Sequence, residues 1–199
     1  MKILFFVDVH ESNAALNKLK EKAKKADLII CAGDISIFER GLKGLLEKIN
    51  SFGKETLIIN GNHEEAKVMA KLCVNYDNIT FIHKKIIQRA EFTILGYGGG
   101  GFSQVDHEFD RFASEHSKDL ANKKIIFVSH GPPYGTALDK LGKEHYGNKN
   151  YRRFIDHYKP IIAVSGHFHE NAGAKEKTKN TLIINPGPLG IILEITKSV

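Results

Sequence analysis

The chain has 199 residues, a length that predicts a single domain over residues 1–199, or one domain with a small insertion. A hydrophobic content of 42% is ample for a packed core, and 26% charged residues is ordinary for a soluble protein. The net charge is +6, but only 5 of the 29 basic residues are Arg. Arg is the residue that bidentate recognition of phosphates and bases favours. The surplus of positive charge therefore indicates a solvated basic surface, which could attract anionic substrates, more than a nucleic-acid-binding face.

The cysteines and the apolar runs bear on location. Cys31 and Cys73 lie in apolar contexts and form no CxxC pair, so we expect buried free thiols in a reducing compartment. The N-terminal apolar run is too short for a signal peptide, and no apolar run reaches membrane-spanning length. The sequence therefore predicts a cytoplasmic protein that does not enter a membrane.

The first third of the chain alternates strand-like and helical patterns. Short apolar runs predict strands at ILFFV, LIICA and LIIN. Apolar residues at helical spacing predict helices over about residues 12–25, 41–52 and 64–76. This alternation is typical of a sheet with parallel βαβ crossovers.

The rest of the chain is richer in strands. ITFIH, KIIQR and FTILGYGG are expected to form antiparallel pairs, followed by a glycine loop and a polar helix over about residues 106–120. KIIFVS, IIAVS, TLIIN and GIILEI predict further strands, with a long loop at residues 134–150 and a short helix at 151–158. So many strands exceed one doubly wound sheet, and two packed sheets flanked by helices fit better.

Side chains of metal-ligand type follow five of the apolar runs. They are Asp8 and His10, Asp34, Asn62 and His63, His130, and His167 with His169. In open α/β sheets, sites form in the crevice beyond the carboxyl ends of the strands, so we expect these side chains in one crevice. This set of oxygen and nitrogen donors suits two divalent transition metals.

Each motif taken alone has another explanation. Asp8 and Asp34 are also typical of turns and helix N-caps, and Asn62 with His63 could cap a helix. His167 and His169 are more specific, because residues two apart on an extended segment face the same way. The recurrence of such motifs at five strand ends favours a metal site.

Together, the motifs resemble those of the calcineurin-like metallophosphoesterases. The matching segments, in the family's order, are Asp8-Val9-His10, Gly33-Asp34, Gly61-Asn62-His63-Glu64, Ser129-His130-Gly131 and Gly166-His167-Phe168-His169. Residues 129–136 and 147–160 also resemble the branch that contains Icc-type phosphodiesterases and the metallophosphoesterase-domain proteins of animals. The resemblance implies a four-layer α/β/β/α sandwich of two mixed sheets flanked by helices.

The resemblance also implies roles for the residues at the strand ends. One metal would take Asp8, His10 and His169, and the other Asn62, His130 and His167. Asp34 would bridge the two ions, and His63 would protonate the leaving group after attack by a hydroxide held between the metals. Mn or Fe is the expected metal, with Ni, Co and Zn as alternatives.

The expected activity is hydrolysis of small phosphodiesters, with nucleotides as the favoured class. A phosphomonoesterase, a nuclease or nucleic-acid binder, and a non-catalytic scaffold of the same fold are the alternatives. Loops 97–106 and 134–150 are expected to set the substrate. Arg152 and Arg153 could contact a substrate, although solvation of a helix face is favoured. Glu64 could orient His63 or begin a helix, and the second is favoured because acidic residues favour first turns.

The other histidines have no ligand-like spacing, and we expect them at the surface or in loops. They are His83, His107, His116, His145 and His157. Two of them, His107 and His145, lie near loops that could border the crevice. Tyr134 and Phe168 could stack on a nucleobase, but packing at the rim or in the core is an equal alternative. The sequence gives no oligomeric state.

Overall fold

The computed structural model describes residues 1–195, and the last residues of the predicted domain, 196–199, lie outside this range. The strands are β1 (Lys2–Phe6), β2 (Leu28–Cys31), β3 (Thr56–Ile58), β4 (Ile79–Phe81), β5 (Lys85–Arg89), β6 (Phe92–Tyr97), β7 (Lys124–Ser129), β8 (Lys140–Leu141), β9 (Glu144–His145), β10 (Ile162–Val164), β11 (Lys175–Lys177), β12 (Leu182–Ile184) and β13 (Ile191–Glu194). The helices are α1 (Asn13–Ala23), α2 (Leu42–Asn50), α3 (Ala66–Cys73), α4 (His107–Glu115), α5 (Ser117–Leu120) and α6 (Lys149–Tyr158).

The first sheet has the strand order β13-β1-β2-β3-β4. Strands β1 to β4 run parallel, and β13 joins β1 in antiparallel orientation. Helices α1 to α3 cover its outer face with apolar residues such as Leu16, Leu46 and Met69. Helix α1 begins where the Ser12 side chain accepts a hydrogen bond from the Ala15 amide at 3.2 Å.

The second sheet has the strand order β11-β12-β10-β7-β6-β5. Its four inner strands run parallel, while β5 and β11 pair antiparallel at the two edges. Helices α4 to α6 cover the outer face, and their aromatic residues Phe109 and Tyr151 pack on Phe127 of β7. The inner strands are apolar on both faces, as strands covered on both sides must be.

The two sheets pack against each other through a third apolar cluster. Ile3, Phe5 and Ile30 of the first sheet meet Ile94 and Val128 of the second, and all five are fully buried. The layers are therefore helix, sheet, sheet, helix. The predicted fold class, two mixed sheets flanked by helices, is confirmed.

Several local predictions need correction. Strand β4 does not pair with β5: it runs parallel to β3 in the first sheet, where Ile79 and Phe81 reach the core under α3. The polar helix predicted over residues 106–120 breaks at His116 into α4 and α5. The long loop at 134–150 contains the short β8–β9 hairpin. The edge strand β11 was not predicted, because its sequence, KEK, has no apolar pattern.

The carboxyl ends of five parallel strands carry the predicted site residues. The segments after β1, β2 and β3 leave the first sheet, and those after β7 and β10 leave the second. The fold thus brings residues far apart in sequence to one edge of the sandwich. Within residues 1–195, no helix combines the length and the apolar character needed to cross a lipid bilayer.

Candidate metal centre

Eight predicted site residues lie together at this edge. Three groups have potential ligand atoms within 4.8 Å of one another: Asp8 with His10 and His169, His10 with Asp34 and His63, and Asp34 with His130 and His167. Asn62 joins the third group through its side-chain oxygen. The structure therefore brings together every residue that the sequence placed in the crevice, whereas the assignment of each as ligand or acid stays a prediction.

The first group brings a carboxylate and two imidazole rings together. His10 Nδ1 lies 3.2 Å from the Ser36 carbonyl oxygen, which can only accept, so Nδ1 carries the proton. His10 Nε2 is therefore an acceptor in the neutral ring, and it faces His169 Nε2 at 3.0 Å. Asp8 Oδ2 accepts the backbone N–H of His167 at 2.9 Å, while Asp8 Oδ1 is buried without a partner. A cation would satisfy these atoms together.

The second group converges on the side-chain oxygen of Asn62. His130 Nδ1 donates to the Ala32 carbonyl at 2.9 Å, which turns Nε2 toward Asn62 Oδ1, also 2.9 Å away. His167 Nδ1 lies 2.8 Å from the same Asn62 oxygen. Burial lowers the pKa of His167 to about 4, and the neighbouring His130 adds to the effect, so His167 is a neutral imidazole, the form that binds metals.

Asp34 lies between the two groups. Its Oδ2 is 3.3 Å from His130 Nε2 and 3.8 Å from His10 Nε2, and its Oδ1 accepts the backbone N–H of His63 at 2.9 Å. Burial alone would raise the pKa of Asp34, but the hydrogen bond and charge of His130 outweigh it and lower the pKa to about 2. One oxygen therefore faces both groups as a carboxylate, the arrangement that a ligand bridging two cations requires.

Without a metal, a proton on His130 takes the place of a cation. Burial lowers the pKa of His130, but hydrogen bonding to Asp34 and the Asp34 charge outweigh burial and raise the pKa to about 9. The imidazolium then holds the acceptors of Asp34 and Asn62 around itself. A divalent ion would release this proton on binding. The donor set, the unpartnered Asp8 oxygen and the ring orientations therefore fit two divalent metals.

Glycines in the motifs allow the strand-end loops to approach each other. A Cβ atom on Gly61 would lie 1.9 Å from Asp34 Oδ1, and one on Gly166 would lie 2.5 Å from Asp8 Oδ2. Both distances are far below van der Waals contact, so any side chain would displace a carboxylate of the site. Gly61, next to Asn62, and Gly166, next to His167, are therefore part of the site's construction.

Glu64 has a role that the sequence did not indicate. It was expected to begin a helix, but α3 begins at Ala66 and Glu64 is only 4% exposed. Its carboxylate accepts the backbone N–H groups of Asp34, Ser36 and Gly61 at 2.9–3.0 Å and the Ser36 hydroxyl at 2.8 Å. Glu64 thus joins the loop after β2 to the loop after β3 and fixes the position of Asp34.

His63 lies at the margin of the centre. Its Nε2 is 4.0 Å from Asp34 Oδ2, and its ring is 5.0 Å from that of His10. His63 Nδ1 is buried without a partner, and the Phe38 ring lies 4.5 Å from the imidazole on the outer side. His63 therefore borders the centre and does not lie inside it.

Some residues considered from the sequence do not reach the centre. Arg152 and Arg153 form ion pairs with Asp156 and Asp110, in agreement with the favoured expectation of a solvated helix face. His145 hydrogen-bonds the fully buried Asp139 at 2.7 Å. His107, the first residue of α4, is exposed.

His83 was expected at the surface or in a loop, and it lies half-buried in the turn between β4 and β5. Its Nδ1 accepts the Gly98 N–H at 2.9 Å, at the start of the glycine loop. Burial and the nearby Lys84 lower the pKa of His83 to about 4. The site's rim also includes Phe38 and Phe102, which had no distinguishing pattern in the sequence.

Several known proteins are similar to this chain in sequence or in fold. The model for calcineurin-like phosphoesterases matches residues 1–171. UPF0046 protein K07C11.7 of Caenorhabditis elegans is 25% identical over 207 residues, which cover 92% of this chain and 68% of the worm protein. Among solved structures, TT1561 of Thermus thermophilus has a TM-score of 0.73 at 15% identity and covers 94% of this chain and 89% of its own. Phosphopantetheinyl hydrolase (PptH) of Mycobacterium tuberculosis has a TM-score of 0.67 at 12% identity, with coverages of 94% and 88%.

The structural neighbours share the fold, and the family model spans most of the chain, including every motif from Asp8 to His169. The predicted resemblance is confirmed: the chain belongs to the calcineurin-like phosphoesterase family, a family of metal-dependent phosphoesterases.

Proposed function

We propose that the protein hydrolyses phosphodiesters at a two-metal centre, with His63 as the acid that protonates the leaving group. The observation that carries the proposal is that two sets of potential ligand atoms converge on the same oxygen, Asp34 Oδ2. Without a metal, the proton on His130 supplies the positive charge that these atoms require, and divalent cations would replace it in the loaded site. Nucleotides are the small phosphodiester class that we favour.

The residues that would hold the metals follow from the two groups. Asp8, His10 and His169 would hold one ion, Asn62, His130 and His167 would hold the other, and Asp34 would contact both. When bound, two divalent ions supply Lewis acidity: they neutralise phosphate charge and lower the pKa of water so that a nucleophile exists at neutral pH. Oxygen and imidazole donors without thiolate admit Mn, Fe, Co, Ni or Zn. Mn and Fe, which the family resemblance implies, are our proposed metals.

The chain's own side chains would complete the reaction. The carbonyls of Ser36 and Ala32 keep the rings of His10 and His130 in one tautomer and orientation. Glu64 holds the Asp34 loop in place. His63, at the margin of the centre, would deliver a proton to an oxygen that departs on its side of the centre.

The surroundings of His63 favour a diester over a monoester. A cavity of about 310 Å³ beside it is lined by Phe38, Glu39, Asn62, His63, Glu64 and Glu65. A phosphomonoester dianion carries more negative charge than a diester and gains from additional cationic side chains. Carboxylates line this cavity instead, and Arg152 and Arg153 already pair with acidic residues. The same charges argue against a nucleic-acid groove here.

Two unpaired, buried cysteines support the proposal that the protein works in the reducing cytoplasm. Burial raises the pKa of Cys73 to about 12, so this thiol stays protonated and poorly reactive. Cys31 is fully buried on β2, and its thiol pKa is likewise raised by burial. Neither cysteine is a candidate nucleophile, which leaves the metal centre as the proposed site of reaction.

The test compares a bis(nitrophenyl) phosphodiester with nitrophenyl phosphate on protein loaded with Mn or Fe. We expect a higher kcat/KM for the diester, and Asp34→Asn should abolish hydrolysis of both. A higher kcat/KM for the monoester would overturn the diester assignment and support a phosphomonoesterase. Binding of duplex DNA that weakens steeply with salt, coupled to cleavage, would favour a nuclease instead.

A further inference from the structure

Two phenylalanines are exposed at the rim of the metal centre, although most aromatic residues are buried. Phe38 is 78% exposed and lies against the His63 ring, and Phe102 is 69% exposed and lies 4.6 Å from the His167 ring. Ligand pockets are lined mainly by apolar and aromatic side chains, and Phe38 lines a cavity beside His63. The two rings lie beside different histidines, so they serve different sides of the centre.

The backbone around Phe38 is fixed in a conformation that keeps the ring outside. Phe38 and Glu39 both have left-handed backbones, with φ of 47° and 63°. Non-glycine residues rarely adopt this region, and two in succession persist only where the surroundings hold them. Glu11 provides one anchor, by accepting the Ile37 amide and pairing with Arg40 at 2.6 Å. The exposure of Phe38 is therefore a property of a held turn.

A second anchor connects this turn to the acid. Glu39 Oε1 accepts the backbone N–H of Glu65 at 2.7 Å, which joins the Phe38 turn to the segment that carries His63. The cavity of about 310 Å³ opens between these two segments. Any leaving-group oxygen that His63 protonates must come within hydrogen-bond reach of its ring, so the rest of the leaving group extends into this cavity.

The lining of the cavity restricts the chemistry of that group. Phe38 offers an aromatic face, which favours a flat apolar ring in stacked or edge-to-face contact. Glu39 and Glu65 are carboxylates at the cavity wall, so a leaving group with its own phosphate or carboxylate is repelled. An uncharged aromatic ring satisfies both conditions.

We propose that Phe38 forms the wall of a leaving-group subsite that selects phosphoesters with an uncharged aromatic leaving group, either a simple aryl ring or the base of a nucleoside. The inference rests on the proposed function, because His63 as the acid fixes where the leaving group lies. Phe102 is not part of this subsite, since it covers His167 on the other side.

The kinetic test uses methyl phosphodiesters that carry phenyl, adenosyl or trifluoroethyl as the leaving group. In Phe38→Ala, the ratio of kcat/KM for phenyl over trifluoroethyl should fall roughly fivefold to tenfold relative to the natural protein, the size expected for loss of one aromatic contact. Phe38→Tyr should restore most of the ratio. Val74→Ala, at a residue that is 82% exposed and away from the centre, should leave it unchanged. The same ratio of kcat/KM, measured for the adenosyl ester over the trifluoroethyl ester, shows whether the subsite takes a nucleobase or a simple aryl ring.

A binding readout separates this inference from the proposed function. The His63 ring resonances should shift when phenol or adenosine is added to the natural protein or to Phe102→Ala, and they should not shift in Phe38→Ala. The subsite is overturned, and the function stands, if all esters are hydrolysed and Phe38→Ala leaves the ratio of kcat/KM for phenyl over trifluoroethyl unchanged. The same holds if only Phe102→Ala lowers this ratio. A Phe38-dependent shift without hydrolysis overturns the function, and Phe38 then contacts an aromatic ligand that is not a leaving group.

Discussion

Replacing Glu64 with Gln tests how the centre is held in place. Glu64 accepts four hydrogen bonds, two on each carboxylate oxygen, and is almost completely buried. A glutamine has the same size but only one oxygen, so its NH₂ group must face two of these donors. Asp34 and Gly61 share one oxygen, and Ser36 supplies both donors to the other, so one orientation leaves two backbone N–H groups unsatisfied and the other leaves one.

The magnitude follows from these contacts. A buried backbone N–H without an acceptor costs about 1–3 kcal/mol, and hydrogen bonds to a charged acceptor contribute about 1.5–3 kcal/mol. With relaxation of the loops, we expect Glu64→Gln to lower the free energy of unfolding by about 2–4 kcal/mol in metal-free protein. The loop after β2 carries Asp34, so the affinity for metal should fall as well.

Urea unfolding and calorimetric metal titration measure the two effects. Glu65→Gln is the matched control, because Glu65 is the neighbouring residue, is exposed and makes no side-chain cap on α3. The control should stay within about 0.5 kcal/mol of the natural protein. If Glu64→Gln unfolds like the control and binds metal with unchanged affinity, Glu64 does not position Asp34.

Three further changes have distinct outcomes. Asp34→Asn should weaken both metal sites together in elemental analysis; loss of one ion with full activity retained would contradict the bridging role. His63→Ala should lower turnover by about 10²–10⁴-fold while metal content stays nearly intact, and loss of both ions would show that His63 is a ligand. The pKa of His83 is about 4 in the folded chain and 6.5 for a free side chain, so below pH 6.5 the unfolded state binds protons first and stability falls until about pH 4. Because solvent screens part of the effect, the free energy of unfolding of the natural protein should fall by about 1–2 kcal/mol between pH 6.5 and about pH 4, and that of His83→Gln should change little. An equal fall in both proteins would contradict the assignment of this pH dependence to His83.

The strand ends and their motifs could be predicted from the sequence, because apolar periodicity and glycine positions are local signals. The runs before Asp8, Asp34 and His167 are apolar, short and bounded by turn residues. Parallel strands bring such ends to one edge, so the position of the centre followed from the pattern. The family resemblance then supplied an expected role for each residue.

Interactions through space could not be predicted in the same way. The donors that Glu64 accepts come from the loop after β2 and from Gly61, so its role depends on how two loops meet. Likewise, β4 was paired with the wrong strand, because a three-residue strand does not encode its neighbour. The exposure of Phe38 depends on left-handed backbone at a turn, which a lone aromatic residue in the sequence does not indicate.

The most direct test is a crystal structure of the protein loaded with Mn or Fe, with anomalous scattering measured at the metal's absorption edge. Two peaks are expected at the edge of the sandwich, one contacted by Asp8, His10 and His169 and the other by Asn62, His130 and His167, with Asp34 Oδ2 in contact with both. A single peak, no peak at full loading, or a pair of ions that do not share Asp34 would contradict the two-metal centre.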